Sequence, residues 1–75
     1  MNTKLTIRQE FVLNKVNQYI EEFGFPPTHV NLAEMIGVTA RAAADHLRAI
    51  ERKGYIKIYT GVPRGIQVLN KENRQ

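Results

Sequence analysis

Residues 39–54 read TARAAADHLRAIERKG, and this stretch decides the fold. Thr39 is a good N-cap residue at its start and Gly54 is a natural terminator at its end, so the spacing predicts a helix between them. Ala40, Ala43, Leu47 and Ile50 recur at intervals of three, four and three, which is a helical period with one buried face. The opposite face carries Arg41, Asp45, Arg48 and Arg52, while Ala42, Ala44 and Ala49 around it keep that face flat. A helix with an apolar back and a flat, charged front needs a core behind it, and the rest of the chain is expected to supply that core.

Working backwards, Thr28 can cap a short helix over residues 29–36, with Val30 and Ala33 inward and Leu32 and Ile36 joining them. Ala33 is small where two helices have to come close. Gly37 follows the last turn, and Val38 is expected to be buried in the connection to Thr39. Cap, short helix, glycine turn, cap and longer helix over residues 28–54 read as a helix-turn-helix. Ahead of it, Phe25-Pro26-Pro27-Thr28 is a stiff connector, because each proline fixes its own φ and drives the preceding residue away from helix. Phe25 is expected to plug into the core. Residues 6–23 form the first helix. Thr6 and Gln9 make a capping box, and Val12, Val16, Tyr19, Ile20 and Phe23 form the stripe with Leu13 at its edge. Gly24 ends this helix in a left-handed conformation. Ile7 and Phe11 lie roughly opposite the stripe, as ordinary exposed apolar residues or as a contact for a partner chain.

Past Gly54 the period changes from 3.6 to 2. Tyr55-Ile56-Lys57-Ile58-Tyr59 alternates, Ile66 and Val68 form the matching strand, and the turn cluster Thr60-Gly61-Val62-Pro63-Arg64-Gly65 lies between. The expectation is therefore a mostly α fold with a small β-hairpin, a winged helix-turn-helix of three helices and a two-stranded wing. Residues 1–69 form one domain, and 70–75 read as a polar tail or linker.

The chain has 75 residues and a net charge of +4, unevenly spread. Residues 1–38 carry Lys4, Arg8 and Lys15 against Glu10, Glu21, Glu22 and Glu34. Residues 39–69 carry Arg41, Arg48, Arg52, Lys53, Lys57 and Arg64 against only Asp45 and Glu51. A one-sided basic patch is the electrostatic footprint of nucleic-acid binding. There is no Cys and no Ser, and the two histidines are far apart, so no nucleophile, metal site or phosphate loop can be assembled. The expectation is a non-enzyme with no metal and no cofactor. The polar start MNTKLTIRQE is unlike a signal peptide, and no stretch approaches the ~18 apolar residues of a membrane span, which points to a cytoplasmic, nucleoid-associated protein with no membrane partner.

LTIRQEFVLNKV at 5–16, GFPPT at 24–28, LAEMIGV at 32–38, AAADHLRAIERKGYIKI at 42–58 and PRGIQVL at 63–69 together resemble the N-terminal winged-helix domain of the LexA repressor family. The likeness runs over residues 4–69. Such a resemblance implies a dimer on a palindromic double-stranded operator, repressing DNA-damage (SOS) genes until activated RecA promotes self-cleavage by a C-terminal Ser-Lys protease domain. Two departures stand out. The turn Gly37-Val38-Thr39 is one residue shorter than is usual in the family, and Arg41, Ala44 and Asp45 stand where the family offers Asn and two acidic groups. The protease domain is absent, so the chain is read either as the excised DNA-binding domain of a longer repressor or as a small stand-alone regulator, for example from a phage or plasmid.

With such a role, the N-terminal half of helix 39–53 enters the major groove and the wing at 55–69 flanks it. Arg41 is the first candidate for reading guanine O6 and N7, and Asp45 can accept from cytosine N4 or orient Arg41. Ala42 and Ala44 allow close approach, with a methyl against thymine. Thr28 and Thr39 sit at helix N-termini suited to phosphate, with His29 beside Thr28. Arg48, Arg52 and Lys53 reach at most to the backbone. Arg64, with Gly61 and Gly65, is placed at the wing to touch phosphate or minor groove. Each has a plainer reading: Arg41 and Asp45 as an i,i+4 ion pair, Arg48 and Arg52 as solvated or paired with Glu51, His46 as a packed histidine, and Lys57 as solvent-facing. The rival class is a winged helix that uses the same surface to hold another protein.

Overall fold

A computed structural model of the chain describes residues 4–69. The elements are α1 (Ile7–Phe23), α2 (His29–Ile36), α3 (Ala40–Arg52), β1 (Ile56–Ile58) and β2 (Ile66–Val68). The two strands pair antiparallel, Ile56 opposite Val68 and Ile58 opposite Ile66. This is a winged helix-turn-helix, as the periodicity predicts. The polar tail expected at 70–75 lies outside the described residues.

All three helices start on a threonine whose hydroxyl accepts a backbone N–H three residues on. Thr6 accepts from Gln9 at 3.1 Å, Thr28 from Asn31 at 2.9 Å and Thr39 from Ala42 at 3.0 Å. At α1 the Gln9 side chain returns the bond to the Thr6 N–H at 2.9 Å, and at α2 Asn31 does the same for Thr28 at 3.1 Å. α3 has no return partner, so Thr39 holds its start alone. Thr39→Ala is expected to cost about 1 kcal/mol of stability, read as a lower urea midpoint at unchanged slope.

The core is contributed by every helix and by the wing: Val12 and Val16 from α1, Leu32 and Ala33 from α2, Ala43, Leu47 and Ile50 from α3, and Ile56 from β1. Ala33 and Ala43 are both buried on the two helices that pack most closely together, where small side chains let the backbones approach. The link between those helices is short because of Gly37. Its φ of 76° disfavours any side chain, and its N–H and that of Val38 both donate to the Ala33 carbonyl, at 2.9 and 3.0 Å. Gly24 likewise closes α1 at φ 83°.

Three apolar residues expected inside are not there. Phe23, Phe25 and Val30 are 49%, 44% and 47% exposed. The fully buried residue of the connector is Pro27, which takes the core position expected of Phe25. Phe25 instead joins Tyr19 and Phe23 in a surface ring cluster, with centroids 4.5 to 6.2 Å apart. In α2 the inward stripe is Leu32, Ala33 and Ile36, and Val30 points roughly a third of a turn away from it. Val38 is only half-buried, though it does pack on the core.

Candidate nucleic-acid interface

Burial of Ala43, Leu47 and Ile50 turns the other side of α3 outward, so Arg41, Asp45, Arg48 and Arg52 are all exposed, with Ala42 and Ala44 half-buried between. Asp45 pairs with Arg48, Oδ1 to Nη2 at 2.7 Å, with both side chains about 60% exposed. The i,i+4 alternative between Arg41 and Asp45 is thus not the pair that forms. Among the described residues no hydrogen bond or ion pair engages the side chain of Arg41 or Arg52. Arg41 stands in the first turn of α3 as an unneutralised guanidinium on a flat alanine face.

Among the described residues Glu51 pairs with no arginine. Its Oε2 accepts the Ile58 N–H at 2.9 Å and fastens β1 to the last turn of α3. Lys53 is turned the other way, donating to the Lys4 carbonyl and to Gln9 Oε1, both at 2.8 Å, which ties the end of α3 to the start of α1. The basic groups left open on α3 are therefore concentrated in Arg41 and Arg52, with Arg48 half-compensated.

Thr28 and His29 stand at the start of α2, Thr28 half-buried by its capping bonds and His29 exposed. They line one end of a groove of about 740 Å³ that runs between the wing and α3 past Arg48, Glu51, Thr60 and Arg64. His46 is half-buried beside the core stripe and Lys57 is exposed, its ammonium 5.6 Å from the Tyr59 ring. On α1, Ile7 is 87% exposed and Phe11 40%, with the Lys15 ammonium 5.5 Å from the Phe11 ring.

Arg64 is not at large on the wing tip. Its backbone is left-handed, φ 56°, and its Nη1 donates to the Pro26 carbonyl at 2.9 Å and to Tyr19 Oη at 3.2 Å. The guanidinium carbon lies 4.6 Å from the Phe25 ring centroid and 5.8 Å from that of Tyr19. Sequence reasoning did not connect Arg64 with Tyr19, Phe25 and Pro26, and no spacing rule links residues 38 to 45 positions apart.

Among the described residues no three His, Asp or Glu side chains gather to hold a metal ion, and no helix is long and apolar enough to cross a membrane. Residues 2–65 match the family model described as the LexA DNA binding domain. The chain is 45% identical over 71 residues to the LexA repressor of Alcanivorax borkumensis, covering 93% of this chain and 35% of that protein. It is 46% identical over 65 residues to the LexA repressor of Leptospira biflexa, covering 87% and 32%. With the LexA repressor of Burkholderia ambifaria it shares 44% over 72 residues, covering 95% and 34%. The chain thus spans about a third of the length of these curated relatives. A family-model match over nearly the whole winged helix, with relatives this similar, means that the chain belongs to the LexA DNA-binding domain family.

Proposed function

We propose that this chain binds double-stranded DNA sequence-specifically and supplies the DNA-reading part of a LexA-type repressor of SOS genes, acting in the bacterial cytoplasm. The observation that carries this reading is the outer face of α3. A helix-turn-helix presents it, alanines flatten it, and Arg41 stands unpaired in its first turn. A guanidinium so placed can donate two bonds to guanine O6 and N7, while Ala42 and Ala44 let the helix sit close to the bases. Asp45 spends Oδ1 on Arg48, and its second oxygen remains to accept from cytosine N4. Thr39, and Thr28 with His29, offer helix N-termini to phosphates on either side, and Arg48 and Arg52 grip the backbone farther along. Two copies would meet a palindromic operator, with one α3 in each half-site.

Selection from a random DNA pool tests this directly. The expected product is a palindrome whose half-sites lie about one helical turn apart. The logarithm of affinity should fall linearly with the logarithm of salt, by about 0.9 per phosphate neutralised. A pool that yields no enriched site, with binding insensitive to salt, would instead mark the surface as a protein-docking face.

A further inference from the structure

We propose that Arg64 is a positioning residue: it pins the tip of the wing to the α1–α2 connector and so sets the groove between the wing and α3. The reason begins with the size of the wing. Its strands are three residues each and form a sheet of just these two among the described residues, and a two-stranded ribbon so short does not support itself. Its base is anchored, since Ile56 is buried and Glu51 accepts the Ile58 N–H. The tip has no such support of its own. Thr60, Gly61, Val62 and Pro63 are all exposed, and the loop's internal bonds run from Tyr59 N–H to the Gly65 carbonyl at 2.7 Å and from Val62 N–H to the Tyr59 carbonyl at 3.2 Å.

Arg64 supplies the missing anchor, and the backbone around it is shaped to do so. A φ of 56° is disfavoured for an L residue with a side chain, and such a conformation persists where the surroundings over-determine it. The next residue has no room for a side chain. A Cβ on Gly65 would meet the Tyr59 and Val62 carbonyl oxygens at 2.6 and 2.7 Å. This tight turn delivers the Arg64 guanidinium to the Pro26 carbonyl, the Tyr19 hydroxyl and the Phe25 ring. The contact does not stop at α1. Tyr19 Oη also bonds Asn31 Oδ1 at 3.4 Å, and Asn31 is the residue that closes the capping box with Thr28. Wing tip, α1, the proline connector and the start of α2 thus share one polar network. The exposed Phe25 acquires a purpose as well: its ring is the shelf on which the guanidinium stacks.

Nη2 and Nε of Arg64 make no hydrogen bond among the described residues, so a phosphate contact is the competing role that the test must separate. The two roles respond differently to Arg64→Lys. Lysine keeps the point charge that a phosphate needs, but it has neither the planar fork nor the stacking face that the anchor uses. In the free chain, Arg64→Ala and Arg64→Lys should both speed amide exchange at Tyr59 and Val62 by on the order of tenfold, a size fitting the loss of a charged hydrogen bond, with Val16 and Leu47 unchanged. Exchange rising equally at Val16 and Leu47, or not rising at Tyr59 and Val62, would overturn the assignment. The second arm rests on the DNA-binding reading. On the selected operator both variants should lose affinity by about tenfold at an unchanged salt slope. A slope smaller by about one, or wild-type affinity in Arg64→Lys, would make Arg64 a phosphate contact and reject the anchor. If the wild-type chain selects no DNA, the functional reading fails while the exchange arm still decides the role of Arg64.

Discussion

Arg41→Ala is expected to weaken binding to the selected operator by about 1–3 kcal/mol and to relax base preference at one position in each half-site. The size follows from what the proposed reading would lose: two donors for one base edge, which no neighbour can replace, because Ala42 and Ala44 carry only methyl groups and the near guanidinium, Arg48, is held by Asp45. The same substitution should leave the urea midpoint almost unchanged, since the Arg41 side chain makes no hydrogen bond or ion pair among the described residues and is exposed. Measuring affinity on the operator and on single-base variants separates base reading from general attraction. A loss equal on every sequence would make Arg41 a backbone contact, and base reading would then have to be sought elsewhere on α3.

The second large effect is on stability. Ile50→Ala should cost about 2–5 kcal/mol, because Ile50 is fully buried where α3 meets the rest of the core and its removal leaves a cavity that a small domain closes only in part. A domain of this size is stable by only roughly 4–11 kcal/mol, so the variant should be partly unfolded near 37 °C while still folding at low temperature. Urea denaturation at 25 °C gives the number. Saturating operator DNA should restore much of the midpoint, because a ligand that binds only the folded form shifts the equilibrium by mass action. A loss below 1 kcal/mol would mean that the neighbours Leu47 and Ile56 collapse into the space.

The architecture was legible because its determinants are local. Thr6, Thr28 and Thr39 each announce a helix start within three residues of themselves, and Gly24 and Gly37 announce ends, so the helices fall where caps and period place them. The change to alternation after Gly54 marks the hairpin in the same way. What the sequence could not resolve is competition. Phe25 and Pro27 are both apolar and two residues apart, and only packing decides that the proline goes inside. Asp45 has Arg41 at four residues and Arg48 at three, both within reach on a helix, and the side-chain rotamer selects Arg48. The exposed candidates on α3 and at the start of α2 stand where the helical period puts them, while the sequence offers Lys53 to the DNA backbone and Arg64 to phosphate or minor groove without showing their protein partners, which lie more than 35 residues away. Charge is visible in a sequence, but whether a charge is already spent is visible only in three dimensions.

The bond from Lys53 to the Lys4 carbonyl has a practical consequence for handling the molecule. Lys4 is fixed beside the C-terminal end of α3, whereas Arg41 stands in its first turn, twelve residues or about 18 Å away along the helix axis. A surface linkage or a dye joined through residue 4 therefore sits at the far end of α3 and leaves Arg41 facing solution. Attachment through the wing would instead block one wall of the groove.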